Sequence, residues 1–424
     1  MKENLKLPTG EELLLRQGTE ADMNDLKKLY FDVYGGRYTL PEVTNRDKMK
    51  WVLNDPNYFW LLACCYDRLI GSVIFVVDKK DRVGKSLAGV VIPQFEGKHV
   101  MLSLMTSGLN YVMEKQNWCD LQYAVVRTVS LAPQKMLSKL GFVGLGIFPN
   151  VRKIKGYETH GLAALFKPNT LAARQQTPIL IPPVEQIFKI TSSVLKLGRA
   201  KVKGQEQFSS RIKMQLKKIQ ELPNIVKGTY KQKKQAVKPG NIPVIKTSNQ
   251  EIELIIEKSK EVEWEYYLLR DKGVLLAEFF PFHYPNVKLH TIDQSTEVFL
   301  NFQEIDGHAD LLGIKTDRND IAYLLNRVGD YAESLGIKYL EMLVSAYDPD
   351  LQQAAYIANF LPCAYVPAFR MGENGERLDY VVMFRSFVPL TFGGLKLTDK
   401  TKPYLAAFYK IYTKRLMEEI EENG

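Results

Sequence analysis

The chain has 424 residues, 46% hydrophobic and 25% charged, which is too long for one ordinary core and predicts two globular units with connecting material. No apolar run reaches the ~18 residues a bilayer span requires, and the opening MKENLKLPTGEE lacks a signal-peptide core, so the expected address is the cytoplasm. The net charge of +9 is concentrated between Lys189 and Lys238, where only Glu206 and Glu221 oppose the Lys and Arg residues.

In chain order, a short apolar strand at Leu13–Leu15 leads to Thr19, a helix N-cap followed by acidic residues that suit the first turn. Met23, Leu26, Leu29 and Tyr30 then recur at helical spacing. YFWLLACCY and LIGSVIFVVD read as a hairpin, and SLAGVVI as a third strand after a polar turn. Gln94-Phe95-Glu96-Gly97-Lys98-His99 connects that strand to a helix marked by Leu102, Met105, Leu109 and Val112. A strand LQYAVVR, a short helix APQKMLSKLGF and a strand near THGLAALF complete a mixed α/β layer. Cys64 and Cys65 are adjacent, Cys119 and Cys363 stand apart, and the five histidines form no HExxH pair. No disulfide framework and no metal are expected.

Pro182 and Pro183 open a basic connector. Ile187, Ile190, Val194 and Leu197 form one apolar stripe over 185–203, and Ile212, Leu216, Ile219 and Leu222 a second over 208–222. These stripes either pack onto the globular units or, with their flanking lysines, meet an anionic membrane surface through 185–240. Phe208 and Tyr230 are too few aromatics to suggest nucleic acid. From about 246 the earlier pattern returns, with a hairpin turning at Asp306-Gly307, a helix DIAYLLNRVGDYAESLGI, a strand KYLEMLV, a helix DLQQAAYIANFL and a strand RLDYVVMFRSF. Laid over the first half without gaps, Leu102 falls on Ile321, Met105 on Leu324, Leu109 on Val328 and Phe142 on Leu361, which predicts an internal duplication. The expected division is 1–168, a connector 169–245, a second unit 246–390 and a helical tail 391–424.

Over most of residues 10–168 the sequence resembles the GCN5-related N-acetyltransferase (GNAT) superfamily. The residues that carry the likeness are RQGTEADMNDLKKLY, the loop pattern Q-x-x-G at Gln94 and Gly97, and QKMLSKLGF ending at Phe142. The resemblance implies two GNAT-like acyl-CoA N-acyltransferase domains of mixed α+β sheet, the second degenerate. It implies acetyl-CoA or another acyl-CoA as cosubstrate, with Ile92 ending the strand that pairs with the pantetheine arm. Gln94, Phe95, Glu96, Gly97, Lys98, His99 and Val100 would then form the pyrophosphate loop. His99 stands where a small residue is usual, Ser130 where asparagine is common, and Leu137 where a tyrosine commonly protonates the leaving thiolate. Glu158 and His160 are the candidate general bases, solvated loop residues being the plainer alternative. In the second half Thr316 falls on Gly97, among Asp317 and Asp320, and Tyr356 falls on Leu137, a candidate acid if that half is active. The implied activity is transfer of an acetyl or other acyl group to a small-molecule amine or a protein lysine. The alternative is a non-catalytic acyl-CoA sensor or interaction scaffold.

Overall fold

The computed structural model describes residues 1–154, 156–204, 252–276 and 282–423. The second connector helix expected at 208–222 and the basic stretch after it lie outside these residues.

In the N-terminal half the strands are β1 (Lys2–Lys6), β2 (Glu12–Gln17), β3 (Tyr58–Cys65), β4 (Arg68–Asp78), β5 (Val83–Val91), β6 (Leu121–Arg127), β7 (Val143–Lys153) and β8 (Tyr157–Phe166). A two-stranded ladder, β9 (Ile179–Leu180) with β10 (Lys201–Val202), stands apart. The C-terminal half supplies β11 (Ile255–Glu257), β12 (Val287–His290), β13 (Thr296–Gln303), β14 (His308–Thr316), β15 (Tyr339–Ser345), β16 (Leu361–Met371) and β17 (Arg377–Ser386). One fifteen-stranded sheet joins them in the order β1-β2-β3-β4-β5-β6-β8-β7-β16-β17-β15-β14-β13-β12-β11. From β2 to β7 and from β11 to β16 the order is the same, so the halves meet head to head through their corresponding strands β7 and β16.

The meeting point has the reciprocity of a two-fold interface. Gly146 of β7 pairs with Ala364 of β16. Each strand then bulges at its proline: Pro149, Asn150 and Val151 oppose the single residue Thr159, and Pro367, Ala368 and Phe369 oppose Asp379. Asn150 and Ala368 occupy the left-handed region, at φ 57° and 55°. Beyond the bulges Arg152 binds Asp306 of the other half at 2.8 Å, and Arg370 binds Asp81 at 3.3 Å. Arg377–Asp120 adds a further tie between the halves and Arg174–Asp379 one from the connector, both at 2.5 Å.

Helix α1 (Met23–Tyr34) begins after a capping box in which Thr19 and Asp22 exchange hydrogen bonds, and it stops at Gly35, φ 60°. With α2 (Pro41–Thr44) and α3 (Arg46–Asn54) it covers one face of β2–β5, where Tyr30 meets Ser72 and Trp60, and α4 (Val100–Leu109) covers the other, where Leu104 lies at Gly71 and Phe75 at Gly108. The strands toward the seam pack differently. Val83, Leu121, Tyr123, Leu145 and Ile147 belong to the same buried cluster as α6 (Pro182–Leu195), α7 (Glu261–Asp271), α8 (Ile321–Ser334) and the C-terminal strands. The hydrophobic interior is therefore shared across the seam.

The connector helix α6 ends at Leu195, with Lys196 left-handed at φ 55°, short of the expected 203. Its stripe is Val184, Ile187, Phe188 and Thr191, buried against β16, β7 and α10 (Lys402–Asn423), while Val194 is 54% exposed. Phe188 meets Tyr365 edge-on and Thr191 meets the Tyr404 hydroxyl. Of the two alternatives for the first stripe, packing onto the globular units is the one its described part takes. No helix among the described residues is long and apolar enough to cross a membrane.

Candidate active site

The site begins where two parallel strands separate. β5 and β6 pair only from Val83–Ser86 to Leu121–Ala124, and past that point they part. The cause lies in β5 itself. Ala88 and Gly89 together oppose Val73 of β4, and Ala88 takes a left-handed φ of 55°. A non-glycine residue there costs on the order of 1 kcal/mol or more and persists only when its surroundings hold it. Tyr30 of α1 does so, its hydroxyl donating to the Ala88 carbonyl at 2.5 Å and meeting Ser72 Oγ at 3.0 Å. In the sequence Tyr30 is one apolar position of a helix, and its hydroxyl's role in bending the sheet is visible only in the fold.

Residues 92–99 carry the chain from β5 to α4. Ile92 is buried and its N–H bonds to the Ile70 carbonyl, so the strand stays anchored on its β4 side. A short turn over Pro93–Phe95 follows, and Gln94, Glu96, Gly97 and His99 are exposed. Gly97 has φ 78° with open space where a Cβ would stand. His99 is left-handed at φ 66° and serves as the N-cap of α4. The preference for a small residue at that position is therefore one of backbone conformation. The His99 ring, which stands where a small residue is usual, is exposed. The first hydrogen bond into the helix runs from Ser103 N–H to the His99 carbonyl. Among the described residues, the N–H groups of Gly97, His99, Val100, Met101 and Leu102 have no protein acceptor, and a helix start with such free donors suits an anion. Lys98 is otherwise engaged: its Nζ binds Glu11 at 2.5 Å and lies over Phe95.

Glu158 and His160 alternate on β8 and share a face. Both are buried, which replaces the solvated-loop alternative with strand residues. Glu158 accepts a bidentate pair from Arg127, Nε at 2.8 Å and Nη2 at 2.6 Å, while His160 Nε2 lies 3.4 Å from Glu158 Oε2. Burial works to raise the Glu158 pKa, but His160 and Arg127 outweigh it and hold the carboxyl at about 2. Burial pushes His160 below its usual value, against the pull of Glu158. The two candidates thus differ in kind, because Glu158 is a fixed carboxylate and His160 a neutral imidazole whose Nε2 has no hydrogen-bond partner. Tyr34 and Tyr38, 4.4 Å apart between ring centroids, complete the group, with Tyr34 in the field of Arg127, Glu158 and Glu96. Burial raises both phenols, so they stay protonated donors. In the sequence, Tyr34, Tyr38 and Arg127 carry no signal beyond position near expected element ends.

The remaining expected residues are not brought to this cleft. Ser130 Oγ accepts the Ala132 N–H at 3.3 Å as α5 (Ala132–Lys139) begins. Leu137 is a buried core residue. The gap-free overlay of the halves is corrected by the structure. Phe142 N–H bonds to the Leu137 carbonyl as Phe360 N–H bonds to that of Ala355, so Ala355, not Tyr356, corresponds to Leu137. Tyr356, on α9 (Pro349–Ile357), directs its hydroxyl at Glu418 of α10, 3.3 Å away. Likewise Thr316 ends β14 as Val91 ends β5, so it does not correspond to Gly97. The second loop is only 317–320, where Arg318 and Asp320 form a bidentate pair.

No family model matches this sequence, and no curated protein matches it. Solved structures do. Ribosomal-protein-S5-alanine acetyltransferase from Vibrio fischeri is 14% identical, covering 40% of this chain and 98% of its own, with a TM-score of 0.35. A GNAT-family acetyltransferase from Streptococcus pneumoniae is 17% identical over 36% of this chain and 99% of its own, TM-score 0.33. A variant of spermidine N-acetyltransferase from Vibrio cholerae is 17% identical over 37% of this chain and 95% of its own, TM-score 0.33. All three are acetyltransferases, and each is similar to this chain over 36–40% of its length.

Proposed function

We propose that the chain moves an acetyl or other acyl group from acyl-CoA directly to an amine, with 1–168 as the working unit and 246–390 as a second copy that lacks the loop. The observation that carries this is the junction of the parted strands β5 and β6 with an α4 N-terminus whose donors are unengaged. The N–H groups of Gly97, His99, Val100, Met101 and Leu102 bind the pyrophosphate, and the free edge of β5 past Ser86 takes the pantetheine arm. Acyl-CoA supplies a thioester activated toward amines. His160 Nε2 accepts the proton the amine gives up as its nitrogen bonds the carbonyl carbon, and Glu158 stabilises the imidazolium that forms. As the carbon–sulfur bond breaks, the thiolate takes a proton from Tyr34, Tyr38 or water, since Leu137 cannot donate one. The acceptor is a small amine or a protein lysine.

Calorimetry with acetyl-CoA and longer acyl-CoAs tests the binding half of the proposal. Asparagine and aspartate both tolerate a left-handed φ, so Gly97→Asn and Gly97→Asp differ mainly in charge. Gly97→Asp is expected to weaken acyl-CoA binding at least about tenfold relative to Gly97→Asn, while Asp317→Ala in the second loop leaves it unchanged. Loss of binding through the second loop, with the Gly97 pair equal, reverses the assignment of the working half. Leu137 in place of an acid favours one other reading, a sensor that binds acyl-CoA without turnover. Thiol release with an amine panel separates the two.

A further inference from the structure

The inner face of the C-terminal half carries a polar group that the mechanism above does not use. Parallel pairing sets His308 of β14 beside Tyr339 of β15 and Asp310 beside Glu341. Residues two apart on a strand share a face, so all four side chains stand together. His308 is 1% exposed, Asp310 0% and Glu341 6%. One donor atom from each of His308, Asp310 and Glu341 lies within 4.8 Å of the other two.

Three details make this a built site. His308 Nε2 is 3.4 Å from Glu341 Oε1 and 3.7 Å from Asp310 Oδ1, long for hydrogen bonds. Those separations are close to the ~3.3 Å between ligand atoms that share one ion through bonds of ~2.0–2.1 Å in a tetrahedral set. Second, both ring nitrogens of His308 and Asp310 Oδ1 are buried with no hydrogen-bond partner, a costly state that a bound ion relieves for Nε2 and Oδ1. Third, the other carboxylate oxygens are already held. His283 Nδ1 is 2.6 Å from Asp310 Oδ2, and the Tyr339 hydroxyl donates to Glu341 Oε2 at 3.1 Å. Such outer partners aim the free oxygens at a common point.

We propose that His308 Nε2, Asp310 Oδ1 and Glu341 Oε1 bind one divalent transition-metal ion of the zinc kind, fixing β14 to β15 where their pairing ends. Two carboxylates and one imidazole suit such an ion in charge and donor type. The cations on the facing strands are engaged elsewhere: Arg152 binds Asp306 and Gln303, and Lys85 Nζ lies 3.4 Å from His283 Nε2. The corresponding positions of the N-terminal half are Val83, Lys85, Leu121 and Tyr123, which offer no comparable donor set, so the expected content is one ion per chain. The expectation of no metal rested on the lack of HExxH and CxxC spacing. This donor set is assembled by strand pairing instead.

The competing state is a proton on His308 shared between the two carboxylates, and cobalt distinguishes them. Full-length protein stripped with a chelator is titrated with Co2+ while visible absorption and thermal midpoint are followed. The proposal expects one Co2+ per chain with the intense absorption of a low-coordinate site, Zn2+ displacing it, and a raised midpoint. Glu341→Gln and His308→Gln should each lose the absorption, and His283→Ala should weaken uptake about 10–100-fold. A wild-type protein whose Co2+ spectrum stays that of the aqueous ion, and whose midpoint does not move with Zn2+ up to about 1 mM, holds a proton there and overturns the proposal. Uptake that survives Glu341→Gln and His308→Gln undiminished places the ion elsewhere and overturns it equally.

Discussion

The two halves use one strand order for opposite purposes. Past β5 the N-terminal half has eight residues, 92–99, with a glycine and unengaged amides, where the C-terminal half has four, 317–320, closed by Arg318 on Asp320. On the inner face the positions held by Val83, Lys85, Leu121 and Tyr123 are held in the other half by His308, Asp310, Tyr339 and Glu341. On the readings proposed above, one half presents an anion-binding loop at its rim, and the other a buried cation-binding face at its centre. Both stand on the same parallel pair. Strand order alone does not decide where such a fold does its chemistry.

The halves do agree at the seam, and the seam is where the comparison is most easily broken. Arg152–Asp306 and Arg370–Asp81 correspond, but they are unequal. Asp306 is fully buried and bound at 2.8 Å. Asp81 is held at 3.3 Å, and burial raises its pKa, against the opposing pull of Arg370. Arg152→Met leaves the Asp306 carboxylate, fully buried, with only the His308 N–H at 3.3 Å and is expected to cost about 3–5 kcal/mol. Arg370→Met should cost about 1–3 kcal/mol, because Asp81 keeps the Met371 N–H and can take up a proton. Urea unfolding of both variants and of Arg152→Met with Asp306→Asn is the measurement, the double variant recovering most of the loss. Equal costs for the two arginines would mean that the seam is more symmetric than its distances.

The seam also marks what the sequence left unread. The hairpin and parallel strands β3 to β6 and the helices α1, α4 and α5, with β13, β14, β15, α8 and α9 of the C-terminal half, are legible because apolar periodicity and turn residues agree. β7 and β16 are not. Gly144, Gly146, Pro149 and Asn150 in one strand, and Pro362 and Pro367 in the other, are residues that argue against a strand interior. The bulges accommodate the prolines, and the glycine is required by the other half. A Cβ on Gly146 would stand 2.2 Å from that of Ala364 and 2.4 Å from the Cys363 carbonyl. Of the site, the loop was legible through its glycine and the pair Glu158–His160 through its place near the last strand. Arg127, Tyr34 and Tyr38 come together only by folding. Gly146→Ala is expected to cost about 1–3 kcal/mol by overpacking. Gly97→Ala, with open space around it, should cost about 1 kcal/mol from its left-handed φ alone. A Gly146→Ala protein as stable as Gly97→Ala would show that the halves separate readily.

The smallest effect, on the order of 1 kcal/mol, tests whether the half with the loop also carries the base. His160 is held below its usual value, so the unfolded chain takes up that proton first, and stability falls as pH drops below about 6.5. Glu158 is held at about 2, so its contribution is complete above about 4.5 and is lost as pH falls from there toward 2. Thermal midpoints followed from pH 8 to 3 should therefore decline in two stages. His160→Gln should remove the upper stage and Glu158→Gln should weaken the lower one. In turnover the acceptor amine's own ionisation gives kcat/KM a rise above pH 7 that His160→Gln leaves in place, and His160 adds a second limb below about 6.5. A limb below pH 7 that His160→Gln leaves in place would assign the proton transfer to a different group, and the N-terminal half would keep its proposed loop without the base proposed for it.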